Sequence, residues 1–184
     1  MSHFSFLKQT DGMAEIMGYN PKRFQHFVAL IEDIFRGPSE LSVAEREFIV
    51  TYVAGLNACQ FCYGAHKAVA EAFGADGDLL EELIQTDNLD LVDVKMRPIL
   101  ALAKKLTREP AKTYDADIIA ITDAGWSEHT AHDVICCVAT MNFANRLVSG
   151  HGVEGSADYF KKDAEELGPD GGGYAEKLQN AAGA

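Results

Sequence analysis

Ser42-Val43-Ala44-Glu45-Arg46-Glu47-Phe48-Ile49-Val50-Thr51-Tyr52-Val53-Ala54-Gly55-Leu56-Asn57-Ala58-Cys59-Gln60-Phe61-Cys62-Tyr63-Gly64-Ala65-His66 is the stretch that decides the fold. Ser42 followed three residues later by Glu45 is a capping-box signature, and it opens a helix through Phe48, Ile49, Tyr52 and Val53 that Gly55 is expected to terminate. Asn57 with Gln60 repeats the signature at once, so the next helix is predicted from Ala58 to about Phe73, stopping at Gly74.

The helical pattern continues in both directions. From Pro21 to Arg36 the apolar residues Phe24, Phe27, Val28, Leu30, Ile31, Ile34 and Phe35 recur at spacings of three and four, and Gly37-Pro38-Ser39 ends the stripe. Shorter helices are predicted at Asp78 to Ile84, Lys95 to Leu106 and Asp115 to Ala124, the last capped by Asp115 and closed by Gly125. Ser127 or Thr130 caps a final long helix whose stripe of Val134, Ile135, Val138, Met141 and Leu147 reaches about Val148. No run alternates with period two over more than a few residues, so the fold class is all-α. Shifting the chain by 85 residues matches Ser42 to Ser127, Val53 to Val138, Ala54 to Ala139, Asn57 to Asn142 and His66 to His151, an echo that suggests two similar helical hairpins packed together. The expected organisation is one helical domain over residues 1–155. An acidic helix around Ala157 to Leu167 follows, then a Gly-rich tail expected to be plain surface and poorly ordered unless a neighbouring subunit holds it.

Composition narrows the partners. The 184 residues are 47% hydrophobic and 24% charged, ordinary for a globular protein large enough to fold without crosslinks. With 28 acidic against 16 basic residues the net charge is −12, which disfavours nucleic acid and the cytoplasmic face of a membrane as partners. The start carries no basic segment followed by an apolar run, and no stretch is apolar enough to span a bilayer, so a cytoplasmic location is expected. Thiols stay reduced in that compartment, so a close pair among the four cysteines points to redox chemistry or metal binding.

Cys59, Cys62 and His66, spaced three and then four, share one helix face over successive turns. With Asn57 as N-cap, Cys59 lies near the helix N-terminus, where free N–H groups and the dipole favour a thiolate. His66, one turn from Cys62, is placed to take the proton from that thiol, and Glu47 on the preceding helix can fold back to orient the imidazole. Incidental buried thiols are the bland alternative. Zinc is another, with Glu47 or water as fourth ligand, although no second pair of ligands is present, and neither a metal nor any other cofactor is expected. Cys136 and Cys137 are adjacent within the apolar stripe of the last helix and read as small core residues.

The order Glu47, Cys59, Cys62, His66 resembles the active-site motif of the alkylhydroperoxidase AhpD-like proteins, within the carboxymuconolactone decarboxylase-like superfamily. Ala44-Glu45-Arg46-Glu47, Leu106-Thr107-Arg108-Glu109-Pro110 and Met141-Asn142-Phe143-Ala144-Asn145-Arg146-Leu147 look in particular like the subgroup called peroxidase-related proteins. The resemblance implies an all-helical homo-oligomer, a hexamer or trimer ahead of a dimer, that reduces small hydroperoxides. By the resemblance Cys62 is the peroxidatic thiol, Cys59 resolves it as a Cys59–Cys62 disulfide, and His66 and Glu47 form the proton relay. An external dithiol or lipoyl-type reductant then restores the thiols. Helix position alone favours Cys59 as the more acidic thiol, whereas the expected His66 contact and the resemblance favour Cys62, and Cys62 is the expectation carried forward. Phe61 stands where the best-characterised family peroxidases carry a second histidine, which makes the surroundings drier. The alternative from another class is a redox-sensing or disulfide-exchange protein without rapid peroxide turnover.

Overall fold

The computed structural model describes residues 2–182, and among them there are ten α-helices, two short 3-10 turns and no strand. In chain order these are α1 (Met13–Gly18), α2 (Pro21–Arg36), α3 (Val43–Leu56), α4 (Gln60–Ala72), α5 (Gly77–Thr86), α6 (Met96–Arg108), α7 (Asp115–Asp123), α8 (Glu128–His151), α9 (Ala157–Leu167) and α10 (Gly173–Ala182). The expected all-α class is what the chain adopts. None of the described helices is long and apolar enough to cross a membrane.

α3 is the axis of the molecule. Every residue from Arg46 to Ala54 is buried, because α4, α5, α6 and α8 pack around it. A helix apolar on all sides belongs inside a domain, and its two charged exceptions, Arg46 and Glu47, must find partners there. Arg46 Nη1 donates to the carbonyls of Ile34 and Gly37 at 3.0 and 2.8 Å, which docks the end of α2 onto α3. The capping box forms as expected: Glu45 N–H donates to Ser42 Oγ at 3.2 Å, and Ser42 N–H to Glu45 Oε2 at 2.7 Å.

The turn between α3 and α4 differs from expectation. Gly55 lies within the last turn of α3, and the reversal is made by Ala58 at φ +53°, a left-handed conformation that glycine usually supplies. Cys59 N–H donates to the Ala54 carbonyl at 3.0 Å and Ala58 N–H to that of Gly55 at 2.9 Å, the two bonds of a Schellman ending. Asn57 therefore ends α3 instead of capping α4, and Cys59 itself becomes the N-cap. The 85-residue echo also resolves differently. Residues 127–151 run from the Ser127 cap through one unbroken helix, because Asn142 keeps its side chain on the Val138 carbonyl at 3.0 Å and no left-handed residue follows it.

The C-terminal stretch is structure, not plain surface. α9 lies along α4, with the Phe160 ring against Gly64, where a Cβ would come within 2.3 Å of it. α10 returns across α1 and α2. Of the three isoleucines of α7, Ile121 belongs to this chain's own core, Ile118 is half-buried and Ile119 is exposed. Cys137 is core as expected, but Cys136 is only half-buried and its sulfur lies 3.5 Å from His132 Nε2.

Candidate active site

The α3–α4 hairpin brings Glu47 and His66 together: Glu47 Oε2 lies 2.7 Å from His66 Nδ1. Glu47 has no solvent exposure, so its charge must be answered locally. Arg36, the last residue of α2, donates from Nη1 to Glu47 Oε1 at 2.6 Å and from Nη2 to the Leu167 carbonyl at 3.0 Å. Its guanidinium lies 5.1 Å from the Phe73 ring centroid and 5.2 Å from that of Tyr174. The Tyr174 hydroxyl, from α10, donates to Glu47 Oε1 at 3.3 Å. Burial alone would push the Glu47 carboxyl up, but the His66 and Arg36 charges and hydrogen bonds outweigh it and hold the group below the usual carboxylate range.

Both cysteines of the pair are free and buried. Cys59 follows the left-handed Ala58 as the N-cap of α4, and its sulfur lies 4.0 Å from the Asn145 carbonyl. Its acidity follows from donors. The Cys62 thiol is the largest influence, then burial acting the other way, then the Cys62 backbone N–H, the Ser149 hydroxyl and the His66 charge, and together they bring Cys59 down to about 6. Cys62 moves up, because it donates to Cys59, is buried, and faces that negative sulfur.

This reverses the acidity expected from sequence. Cys62 was expected to be activated by His66, but His66 Nδ1 is engaged by Glu47, no hydrogen bond joins His66 to Cys62 among the described residues, and the His66 charge acts on Cys59. The four residues do not form a metal centre either: among the described residues no group of three or more His, Cys, Asp or Glu is placed to hold an ion.

Two openings flank α4. A surface cleft of about 230 Å³ is lined by Cys59 with Ala58, Gln60, Tyr63 and Ile84. On the other side, a mostly apolar cavity of about 60 Å³ is walled by Phe61, Ala65, His66, Met141 and Tyr159 among others, and the Asp163–Lys177 ion pair of α9 and α10 (2.5 Å) borders it.

Sequence reasoning missed Arg36, Tyr174 and Asn145. Arg36 looked like the end of an amphipathic stripe and Tyr174 lay in the supposed tail. Asn145 is buried on α8, where its side chain acts on the Cys62 thiol and accepts from Asn57 Nδ2 at 2.8 Å. Its only sequence signal was its place in the Met141–Leu147 segment.

Residues 21–104, which carry Glu47, Cys59, Cys62 and His66, match the model of the carboxymuconolactone decarboxylase family. The chain is similar to the structure of an uncharacterized peroxidase-related protein from Silicibacter sp. TM1040, at 29% identity and a TM-score of 0.71, covering 77% of this chain and 74% of that one. An uncharacterized peroxidase-related protein from Ralstonia eutropha JMP134, described as an alkylhydroperoxidase AhpD core, shares the fold at 18% identity and a TM-score of 0.74, covering 89% and 96%. The debrominase Bmp8, bound to 2,3,4-tribromopyrrole, shares it at 18% identity and a TM-score of 0.66, covering 83% and 81%. No curated protein matches the chain by sequence.

Proposed function

We propose, from the premise that the chain belongs to the AhpD-like proteins of the carboxymuconolactone decarboxylase family, that it is a thiol-dependent peroxidase whose redox centre is Cys59 and Cys62 with His66 and Glu47. The observation that carries this reading is the placement of two free, buried thiols, Cys59 at the N-cap and Cys62 in the first turn of α4, on the same helix as a His66 ring held by the buried Glu47 carboxylate.

The chemistry balances on these residues. The Cys59 thiolate attacks the terminal oxygen of a hydroperoxide, breaking the O–O bond and forming Cys59 sulfenic acid, and the departing alkoxide takes a proton from solvent in the surface cleft and leaves as an alcohol. The Cys62 sulfur attacks the sulfenic sulfur, and the expelled hydroxide takes the Cys62 proton and leaves as water, giving a Cys59–Cys62 disulfide. An external dithiol returns both thiols by exchange and is itself oxidised to a disulfide. The cleft beside Tyr63 and Ile84 supports approach to Cys59. Exposed Phe143, Ile119 and Tyr114 support self-association into a homo-oligomer.

Steady-state consumption of cumene or tert-butyl hydroperoxide with a dithiol reductant tests the activity. Stoichiometric oxidation without turnover would identify a redox sensor instead. Dimedone trapping after one equivalent of peroxide separates the thiols: label is expected on Cys59 in Cys62→Ser and none in Cys59→Ser. Label on Cys62 in Cys59→Ser would restore the assignment implied by the resemblance.

A further inference from the structure

We infer that Arg36, seconded by Tyr174 of the C-terminal helix, is a positioning residue that keeps Glu47 an anion against His66, so that the proton this pair shares stays on the imidazole, about two helical turns from Cys59. The inference rests on the proposed role of His66 beside Cys59 but is read without peroxide.

The geometry leaves Arg36 little other purpose. It is removed from water over most of its surface, stacked between the Phe73 and Tyr174 rings, and fixed by the Leu167 carbonyl so that Nη1 ends on Glu47 Oε1. The carboxylate is held on both oxygens, Oε1 by Arg36 and Tyr174 and Oε2 by His66. Such a site has two arrangements of one proton, carboxylate with imidazolium or carboxylic acid with neutral imidazole. A buried pair with no other charge nearby favours the neutral arrangement. A guanidinium in contact with the carboxylate, and farther from the imidazole, favours the charged one.

Other ionisable groups face this cluster from each packed element. Arg46 of α3 and Cys137 of α8 interact with Glu47, Asp163 of α9 with His66 and Tyr174, and Glu32 of α2 with Arg36. Lys177 of α10 lines the same cavity as His66 but is paired with Asp163 at 2.5 Å and Glu166 at 2.6 Å, and Arg46 Nη1 is committed to the Ile34 and Gly37 carbonyls, so neither replaces the lost cation.

The test follows the pH dependence of Cys59 alkylation by iodoacetamide in the reduced full chain, with peptide mapping to isolate Cys59. Arg36→Gln returns the proton to Glu47 and removes the imidazolium charge two helical turns, about 10 Å, from Cys59. At an effective dielectric near 20, that loss raises the alkylation midpoint by about one pH unit. Tyr174→Phe raises it less, Arg36→Lys retains most of the wild-type profile, and Tyr159→Phe, the same change on a hydroxyl bonded to Glu15, leaves it unmoved. Folded Arg36→Gln with the wild-type midpoint overturns the inference. Should Arg36→Gln fail to fold, a Tyr174→Phe midpoint equal to wild type does so. A protein that shows these shifts yet consumes no hydroperoxide retains the inference and loses the peroxidase reading.

Discussion

The acidity assigned to Cys59 makes a demanding prediction. With its midpoint at about 6, Cys59 is roughly 90% thiolate at pH 7, against about 1% for a thiol at its ordinary 9.0. The largest influence lowering the midpoint is the Cys62 thiol as a hydrogen-bond donor. Cys62→Ala removes that donor and should move the midpoint well upward, whereas Cys62→Ser keeps an O–H donor and should move it less. In the reduced wild type the iodoacetamide rate should rise about tenfold from pH 5 to pH 7 and then flatten. Cys137, buried and pushed up to about 12, does not interfere, and peptide mapping separates half-buried Cys136, which is also raised. The linked stability has a definite sign. A depressed folded midpoint contributes stability that is fully present above the unfolded value and is lost as pH falls through the folded one. Reduced wild type should therefore gain resistance to urea between about pH 6 and pH 8.5 relative to Cys59→Ser. A wild-type alkylation rate that keeps rising tenfold per pH unit up to pH 8, or a Cys62→Ala profile superimposed on wild type, would refute the reasoning.

Two substitutions probe the scaffold. Glu47→Gln leaves the Arg36 guanidinium without its carboxylate in the core and should lower stability by about 3–5 kcal/mol, read as a shift in urea midpoint, with loss of the fast Cys59 alkylation at neutral pH. Gly64→Ala drives a methyl into the Phe160 ring at the α4–α9 contact and should cost about 1–3 kcal/mol, part of which Phe160→Leu recovers; an unchanged melting temperature would show that α9 is not docked there.

What was legible in the sequence was local. The Ser42 capping box, the α2 stripe from Pro21 to Arg36 and the spacing of Cys59, Cys62 and His66 are encoded within a turn or two of helix, so periodicity and caps recover them. The hairpin that brings Glu47 to His66 was legible for the same reason. The turn itself was misjudged by two residues, because Ala58 takes the left-handed conformation that propensity assigns to glycine, and that shift is what made Cys59 an N-cap. Arg36, Asn145 and Tyr174 were not legible as site residues. Each reaches the centre from a separate helix, and Tyr174 lies 127 positions from the carboxylate it bonds. The glycines of residues 168–173 read as tail, yet they let α10 turn back onto the site.

Local pairing explains why so acidic a chain can bury a carboxylate at its centre. Glu47, with no solvent exposure, is met by Arg36 at 2.6 Å and by the His66 ring at 2.7 Å, and beside them Asp163 is answered by Lys177 at 2.5 Å. The cost of burying these charges is offset by the partners in contact with them and not by the net charge of the chain. Cys59 lies apart from that cluster, lining the surface cleft with Tyr63 and Ile84. Arg36 and Tyr174 reach Glu47 from outside the α3–α4 hairpin, so the hairpin alone, with every residue of the recognised motif, would leave its carboxylate buried without the guanidinium that answers it.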